Sequence, residues 1–580
     1  MIADHFRVLV VDLSSGKGKI VEEDGRNSEV GGSGLAALLF QKYGFADRSW
    51  DDPDQPVIFA IGPLTGYFPL MSKTVCSFKS PYHNQYTESH AGGRSALALR
   101  FAKLDALVLT GKSEKLCCVN ISSRKLGVHN VDFLRGKDVL ESGKILRNMF
   151  KGSGHRSILR IGPAGEKLAA MSCINTDTYR HFGRLGGGAA FGTKNLKAVI
   201  IQGDAIFDAP AGKDYSKLFS RVYTKVTATD MMKKYHNLGT PANLQGLDDI
   251  KSLPWKNLQQ TSNPAISGIS GERFATDTLL RNSACSGCPV GCIHVGCVRE
   301  MFNANHRYSF KQVAYDYEPI FSLGSMLNVT EARSVLNILD VMEKTGLDAM
   351  SGGVALAWAT EATEKGLLSE KETLIPLRFG DAEAYQTAAE HLANASNDFY
   401  SLLGQGSLKA AEEYGGEDFA CVLGQEMAGY ATGEVFFAAQ ALGFRHSHLD
   451  SGGYSYDQKH AEQDLEGVVQ FLISDEAGRA FMTSTVSCLF ARGVYTNELL
   501  AECFQTLGYK ELSGNIEATG KHIQKLRWQT RIATGFNPEA ITIPKRFYKV
   551  TTWKGPIDAE YLKKLKMRYG EAIMELAKNE

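Results

Sequence analysis

Three closely spaced cysteines constrain this chain more than any other feature of its sequence. The segment Cys285-Ser-Gly-Cys288-Pro-Val-Gly-Cys292 places three thiols within eight residues. Glycine and proline between them curl the backbone so that the sulfurs converge. Thiolates gathered in this way are typical ligands of an iron–sulfur cluster. A structural zinc site of the Cys₄ or Cys₃His type, with His294 as the histidine, is the alternative.

A site built on three neighbouring thiols needs a fourth ligand from elsewhere in the chain. The candidates are Cys297, Cys421, Cys488 and Cys503. Unreactive buried thiols are expected wherever a cysteine lies in an apolar run or helix, which applies to Cys76, Cys117, Cys118, Cys173, Cys421 and Cys503.

Charge and hydropathy exclude several classes of protein. Lysine plus arginine and aspartate plus glutamate both number 64, so the formal net charge is zero and no broad nucleic-acid footprint is expected. No apolar run is long enough for a membrane span. The first 13 residues are typical of a β-strand rather than a signal peptide, which predicts a cytoplasmic protein. An odd number of cysteines, 11, in such a chain indicates metal ligation rather than disulfides.

Glycine-rich segments suggest a large anionic cofactor. Glycine makes up 58 of the 580 residues, and successive N–H groups in glycine turns can bind phosphate or pterin edges. None of these segments fits a dinucleotide or P-loop pattern. Four of them could cradle a ligand: residues 31–34, 90–93, 162–165 and 183–188.

The order of periodic segments predicts an α+β fold, with a β-rich N-terminal cofactor-base domain followed by two mainly α-helical domains. Helical periodicity dominates after residue 209. The predicted domains are residues 1–207, 208–415 and 416–580. Strands are expected at residues 7–13, 19–22, 57–61, 75–78, 106–109, 117–121 and 198–201.

The chain resembles the aldehyde ferredoxin oxidoreductase family of tungsten or molybdenum bis-pterin enzymes. The resemblance runs along almost the whole sequence. It is carried by Ile61-Gly-Pro-Leu-Thr-Gly66, Lys79-Ser-Pro81, His90-Ala-Gly-Gly93, residues 102–112, Ile161-Gly-Pro-Ala-Gly-Glu166, Gly192-Thr-Lys-Asn-Leu-Lys-Ala198 and the Cys285 motif.

This resemblance implies a tungsten (or molybdenum) bis-pterin cofactor, Mg²⁺ bridging the pterin phosphates, and a 4Fe–4S cluster on Cys285, Cys288, Cys292 and Cys488. The implied reaction oxidises an aldehyde, the small-molecule substrate, to a carboxylic acid and passes electrons to ferredoxin or an iron–sulfur partner subunit. It also allows a homodimer. Three alternatives stay open: a reductive enzyme like benzoyl-CoA reductase, a non-catalytic electron-transfer subunit, and a zinc-stabilised binding protein.

The resemblance also assigns roles to individual residues. Glu318 aligns with the family's active-site glutamate, and Lys73 stands at the arginine that bridges cluster and pterin. Glu343 and Asp348 match the ends of the first pterin motif, whereas Thr483 replaces the aspartate that opens the second. The remaining expected cofactor contacts are His90, Ala91, Gly92, Gly93, Gly183, Arg184 and Gly186.

The family's active-site histidine is missing, since Gly453 and Tyr454 stand at its expected place. Nearby, His446, His448 and Asp450 follow one another at intervals of two. If this segment is extended, the three side chains share one face and form a proton relay. We therefore expect His446 or His448 to act as the catalytic histidine.

Overall fold

The N-terminal part of the chain consists of two six-stranded sheets. A computed structural model describes residues 5–177, 179–303, 307–461 and 464–578. The first sheet contains β1 (Phe6–Asp12), β2 (Lys17–Glu23), β3 (Val57–Ala60), β4 (Thr74–Lys79), β5 (Tyr86–Ala91) and β6 (Ala106–Thr110), in the order β2-β1-β6-β3-β4-β5. The second contains β7 (Cys117–Ser122), β8 (Leu126–Asn130), β9 (His155–Arg160), β10 (Ile174–Thr176), β11 (Arg180–Phe182) and β12 (Leu196–Gly203), in the order β11-β10-β9-β12-β7-β8.

Strand alternation explains how these sheets pack. On β1, Leu9 and Val11 share one buried cluster with Val119 of β7 and Val199 of β12, so this core joins the two sheets. Val8 points the opposite way, into the larger core that contains the helical part of the chain. The longer helices that accompany the sheets are α1 (Gly32–Tyr43), α2 (Ser95–Phe101) and α3 (Val139–Met149).

Helices dominate the rest of the chain. The main ones are α4 (Lys213–Ala228), α5 (Asp230–Asn237), α6 (Asn243–Asp249), α7 (Gly271–Asp277), α8 (Ala332–Thr345), α9 (Ala349–Glu364), α10 (Ala382–Asn394), α11 (Asp398–Leu403), α12 (Ser407–Tyr414), α13 (Glu434–Leu442), α14 (Leu465–Ser484), α15 (Asn497–Thr506), α16 (Ile516–Ala533) and α17 (Ala559–Lys578). A third sheet interrupts them, formed by β13 (Leu279–Ser283), β14 (Ile293–Asn303) and β15 (Arg307–Tyr315), all antiparallel. Strands β13 and β14 enclose the cysteine loop, so this sheet fixes both of its ends.

The predicted fold class is confirmed, because a β-rich N-terminal region precedes a mainly helical remainder. All seven expected strands are present within a few residues of their predicted bounds. The sequence did not predict β13–β15. The domain boundaries stay a prediction. Among the described residues, no helix has the length and apolar character needed to cross a bilayer.

Candidate functional site

Backbone hydrogen bonds bring three distant segments together around the cysteine loop. Leu70 donates its N–H to the carbonyl of Gly287 (3.1 Å) and accepts from the N–H of Cys488 (3.0 Å). Ser286 donates to the carbonyl of Gly93 (2.9 Å). The loop is therefore fixed to the N-terminal region at Leu70 and Gly93, and Leu70 also holds the segment after α14.

The four thiols of Cys285, Cys288, Cys292 and Cys488 lie close enough to influence one another. Burial raises the pKa of Cys288 to about 12 and that of Cys292 to about 11, and repulsion among the four sulfurs adds to both shifts. No three described His, Cys, Asp or Glu side chains are arranged to share a single metal ion. Thiols with raised pKa values ionise when a strongly cationic group binds them, as an iron–sulfur cluster does.

Two partly buried cations lie beside these thiols. Burial alone would lower the pKa of Lys73, but the thiols of Cys488 and Cys285 raise it overall. Burial would also lower the pKa of Arg180, on β11, but Cys285, Cys292 and Asp316 raise it overall. These charges would compensate the negative charge of a thiolate-bound cluster.

Gly92 provides a direct test of whether a cluster fits. A Cβ at this position would lie 2.5 Å from the Cys285 sulfur and 3.5 Å from the Lys73 ammonium. Only glycine leaves the room in which a thiolate and its metal can sit against the backbone. The residues present therefore fit an iron–sulfur cluster.

We expect Gly92→Ala to lower the iron content of the purified protein severalfold, because the new methyl group displaces the Cys285 sulfur. Iron per chain and visible absorption measure the effect. Gly183→Ala is the matched control, since the nearest atom to its added Cβ is 3.9 Å away. Equal iron in wild type and Gly92→Ala would contradict the placement of the cluster.

His294 is turned away from the thiols. Its Nδ1 lies 3.2 Å from the carbonyl of Cys292, and its Nε2 lies 3.0 Å from the carbonyls of His236 and Asn237. The ring is therefore held by the backbone, which removes the residue that the Cys₃His zinc alternative requires.

Glu318 and His448 form a pair inside the molecule. The His448 Nε2 lies 3.2 Å from a Glu318 carboxylate oxygen, and no hydrogen-bond partner is present for the buried Nδ1 within the described residues. Burial would raise the pKa of Glu318, but the hydrogen bond from His448 lowers it overall. Glu318 lies in the helical turn Tyr317–Ile320, which continues into a π-helical turn at Phe321–Ser325, a geometry frequent at functional sites.

Sequence reasoning missed Asp316. Burial and the charge of Glu318 raise its pKa to about 6. Its carboxylate lies 3.5 Å from Arg180, the same side chain whose pKa the Cys285 thiol raises. The two acidic residues of Asp-Tyr-Glu at 316–318 were the sequence pattern that could have indicated Asp316. Only the structure shows that both carboxylates come together directly after β15.

The predicted extended segment around the second histidine is wrong. The chain turns repeatedly from residue 443 to 451, and His446 has a φ of 49°. His446 accepts from Arg531 (2.6 Å) and contacts the Ala441 carbonyl through Nδ1 (2.9 Å), and its pKa lies well below the usual range because it is buried beside Arg531. Asp450 binds Arg445 instead (2.7 Å). The three side chains therefore do not share a face.

His90 is fixed between a carboxylate and a guanidinium. Its Nε2 lies 3.1 Å from Glu88, and its Nδ1 lies 3.1 Å from Arg445. Burial and Arg445 lower the pKa of His90 to about 4, so the ring is neutral, donates to Glu88 and accepts from Arg445. Arg527 completes the group with a 2.9 Å hydrogen bond to Glu88. This network holds the 90–93 segment in place.

The residues expected to contact the pterin differ in their hydrogen-bond partners. Glu343, at the end of α8, lies 2.5 Å from His181, and Asp348 caps α9 by accepting from the N–H groups of Met350 and Ser351. Arg184 hydrogen-bonds to the Glu426 carbonyl, while no hydrogen-bond acceptor among the described residues reaches its buried Nε. The nearest carboxylate, that of Asp348, lies 3.9 Å from this Nε, so an anionic cofactor could supply the missing hydrogen bond.

The remaining residues expected to contact the pterin make contacts within the chain itself. Thr483 donates to the Ala480 carbonyl and accepts from Ser33. Ala91 is buried on β5. A Cβ on Gly186 would lie 2.2 Å from Pro81, so this glycine is required by packing within the chain.

Two of the four predicted glycine cradles pack against backbone. A Cβ on Gly32 would lie 2.2 Å from the Thr483 carbonyl, and one on Gly162 would lie 2.2 Å from the Thr345 carbonyl. These glycines allow close contact between the N-terminal and helical regions. Packing within the chain accounts for these two glycines, and the expectation that the two segments cradle a ligand stays a prediction.

The site and fold define an oxidoreductase of the aldehyde ferredoxin oxidoreductase family. The family's N-terminal domain matches residues 8–203, and its domains 2 and 3 match residues 217–575, so the chain belongs to this family.

Two relatives and one solved structure are similar to this chain. The chain is 28% identical to the tungsten-containing aldehyde ferredoxin oxidoreductase of Pyrococcus furiosus, over 96% of this chain and 93% of that protein. It is 27% identical to the aliphatic sulfonate oxidoreductase WOR-like subunit of the same organism, over 80% and 74%. Its fold matches the BamBC active site complex of benzoyl coenzyme A reductase with 1,5-dienoyl-CoA, with a TM-score of 0.81 and 18% identity, over 98% and 95% of the two chains.

Proposed function

We propose that this chain is a tungsten (or molybdenum) bis-pterin oxidoreductase that oxidises an aldehyde to a carboxylic acid. Cys285, Cys288, Cys292 and Cys488 would hold a 4Fe–4S cluster, which would supply electron-transfer chemistry toward ferredoxin or an iron–sulfur partner subunit. Mg²⁺ bound with the pterin cofactor would be part of the same site. Family membership and the names of the relatives support the cofactor.

One observation carries the proposal: Arg180 connects the two halves of the site. Its guanidinium lies 3.5 Å from Asp316, two residues before Glu318, and is close enough to Cys285 and Cys292 for both thiols to raise its pKa. An electron-transfer loop and a pair of carboxylates are therefore neighbours. Oxidation of an aldehyde by water to a carboxylic acid releases two electrons and two protons, so the enzyme needs a proton acceptor close to its electron path.

The chain's own residues would handle protons and position the substrate. The bound metal–pterin group would supply two-electron redox chemistry. Glu318, with its lowered pKa, is ionised and can accept a proton, and His448 orients it through the 3.2 Å contact. Lys73 and Arg184 offer positive charge to the anionic cofactor.

Aromatic rings surround the Glu318–His448 pair and favour an aromatic or bulky apolar aldehyde. The Tyr430 ring lies 5.1 Å from His448, 5.0 Å from Tyr317 and 4.9 Å from Tyr454, between ring centroids. The rings are tilted against one another, and a flat substrate could pack on their apolar faces. Benzaldehyde should therefore give a higher kcat/KM than acetaldehyde.

The test is metal analysis and dye-linked turnover of the protein purified without oxygen from a host that makes the cofactor. The proposal requires about four iron atoms and one tungsten or molybdenum per chain, together with aldehyde oxidation. Iron without the heavy metal would support the electron-transfer subunit instead. Zinc alone would contradict both.

A reductive role is the second candidate function, and the same aromatic rings around Tyr430 favour it. A flat aromatic acid derivative would fit beside Tyr430 as well as an aldehyde does. Reduction of an aromatic thioester by the loaded protein, with no oxidation of any aldehyde in a broad panel, would select it.

We expect the two histidines to differ when replaced. His448→Gln should lower kcat roughly a hundredfold, because Glu318 loses its orienting partner, with little change in Tm. His446→Ala should leave kcat per folded enzyme unchanged but lower stability by about 1–3 kcal/mol, because the buried Arg531 loses an acceptor. Parallel measurement of kcat and Tm separates the roles. A large loss of kcat in His446→Ala, with little loss in His448→Gln, would show that His446 and not His448 is the catalytic histidine.

A further inference from the structure

A cavity of 460 Å³ opens at the surface beside the cysteine loop. Part of its wall is the loop itself, at residues 286–289. Leu70 holds this part of the loop by donating its N–H to the Gly287 carbonyl (3.1 Å). Cys288 is half-buried, so the cavity reaches one of the four cysteines. Small-molecule sites usually measure about 300–1,000 Å³, and this cavity has room for one small ligand in contact with the loop.

Aromatic rings form much of the remaining wall. Phe219 and Tyr223, one turn apart on α4, stack with ring centroids 6.3 Å apart and an angle of 24° between their planes. Phe101, at the end of α2, packs 4.5 Å from the His155 ring. Phe219 is only half-buried, and Tyr223 is 44% exposed. Partly uncovered aromatic rings in a cavity favour a flat ligand that can pack on their faces.

The polar groups of the wall indicate a neutral ligand that accepts hydrogen bonds. Within the described residues, no lysine, arginine, aspartate or glutamate belongs to the wall. Hydroxyl donors are present on Ser72, Ser286 and Tyr223, and they can reach a carbonyl oxygen of a bound molecule. A nucleotide or a flavin phosphate would need a cation beside its phosphate, which this wall does not provide.

We propose that this cavity binds a neutral quinone of the size of naphthoquinone, which serves as an electron acceptor. The flat ring packs on Phe219 and Tyr223, against the loop at Cys288, and its two carbonyl oxygens accept from the hydroxyl donors. Its flat shape, lack of charge and carbonyl oxygens match the three properties of the wall.

The chemistry of this step balances. The quinone takes up, one at a time, the two electrons that aldehyde oxidation releases. It also takes up two protons from solvent at the open side of the cavity, where His155 is exposed, and becomes a hydroquinone. Aldehyde, water and quinone together give carboxylic acid and hydroquinone. The source of the electrons rests on the proposed function, whereas the binding site does not.

Binding of menadione, a naphthoquinone, to the full, cofactor-loaded chain tests the site by equilibrium dialysis without oxygen. Wild type should bind one molecule per chain. Phe219→Ala and Tyr223→Ala should each weaken binding roughly tenfold, because each removes a ring on which the quinone packs. Phe133→Ala is the matched control and should bind like wild type, since this ring is 57% exposed but lies outside the cavity wall. A sulfonated naphthoquinone should bind more weakly than menadione, because the wall offers no counter-charge.

Turnover with two acceptors separates this site from the chemistry of aldehyde oxidation. Hexaammineruthenium is the second acceptor, because a small hydrophilic complex needs no apolar cavity. The ratio of menadione-linked to ruthenium-linked turnover should fall with binding in Tyr223→Ala and stay at the wild-type value in Phe133→Ala.

Four results would overturn parts of this inference. Equal binding of menadione by wild type and both cavity variants, or no saturable binding by wild type, overturns the site. Tighter binding of the sulfonated quinone overturns the neutral ligand. Menadione that binds but is not reduced, while the ruthenium complex is, overturns the role as electron acceptor. Wild type that turns over with neither acceptor would instead refute the proposed function, and dialysis would still decide the binding site.

Discussion

Replacing Cys488 with serine should leave a folded protein that has lost its iron–sulfur absorption. Cys488 is the one thiol outside the 285–292 loop that lies among the other three, and its N–H is fixed to Leu70. A 4Fe–4S cluster with three cysteine ligands is labile, so iron should fall from about four atoms per chain to three or fewer and be lost during purification. Iron analysis and electron paramagnetic resonance of the reduced protein measure this.

Cys297→Ser is the matched control for this prediction. Cys297 is also half-buried, is near the loop in sequence and was one of the four candidate ligands, but it lies on β14. It should retain full iron. Normal iron in Cys488→Ser together with lost iron in Cys297→Ser would reverse the assignment of the fourth ligand.

The fold could be predicted from sequence where pattern and packing agree. Residues 57–61 and 106–109 are continuous apolar runs, and both form strands inside the first sheet, buried on both faces. Strand β14 was missed because Arg299, Glu300 and Met301 give it no clear alternation, and a hairpin that long is set by pairing with β15. Local propensity cannot report such pairing.

The candidate site was predictable in its residue types and less so in its geometry. Spacing identified the cysteine loop, but it could not tell which sulfur outside the loop joins it. The pattern at 446–450 predicted that the three side chains share one face. Instead, Asp450 pairs with Arg445 and His446 accepts a hydrogen bond from Arg531, and the segment forms turns. Arg180 carried no sequence signal, because its importance comes from reaching both Cys285 and Asp316.

Replacing Glu318 with glutamine should lower kcat by about 10²- to 10⁴-fold, the usual contribution of a positioned acid or base. Glutamine keeps the shape and can still contact His448, but it cannot accept a proton. Cofactor content should be unchanged, which distinguishes loss of chemistry from loss of the metal. Full activity in Glu318→Gln would remove this residue from the mechanism.

Asp316→Asn tests the same carboxylate pair through pH. Burial and the charge of Glu318 raise the pKa of Asp316 from 3.8 to about 6, so Asp316 is neutral below that pH and becomes a second anion beside Glu318 above it. An acid whose pKa is higher in the folded protein favours folding below its unfolded pKa, and that contribution is lost as the pH rises through about 6. Asp316→Asn should therefore gain stability relative to wild type at pH 8 but not at pH 4, and its activity profile should lack the step near pH 6. If the difference in stability between wild type and Asp316→Asn is the same at pH 4 and pH 8, Asp316 does not become a second anion beside Glu318 in this pH range.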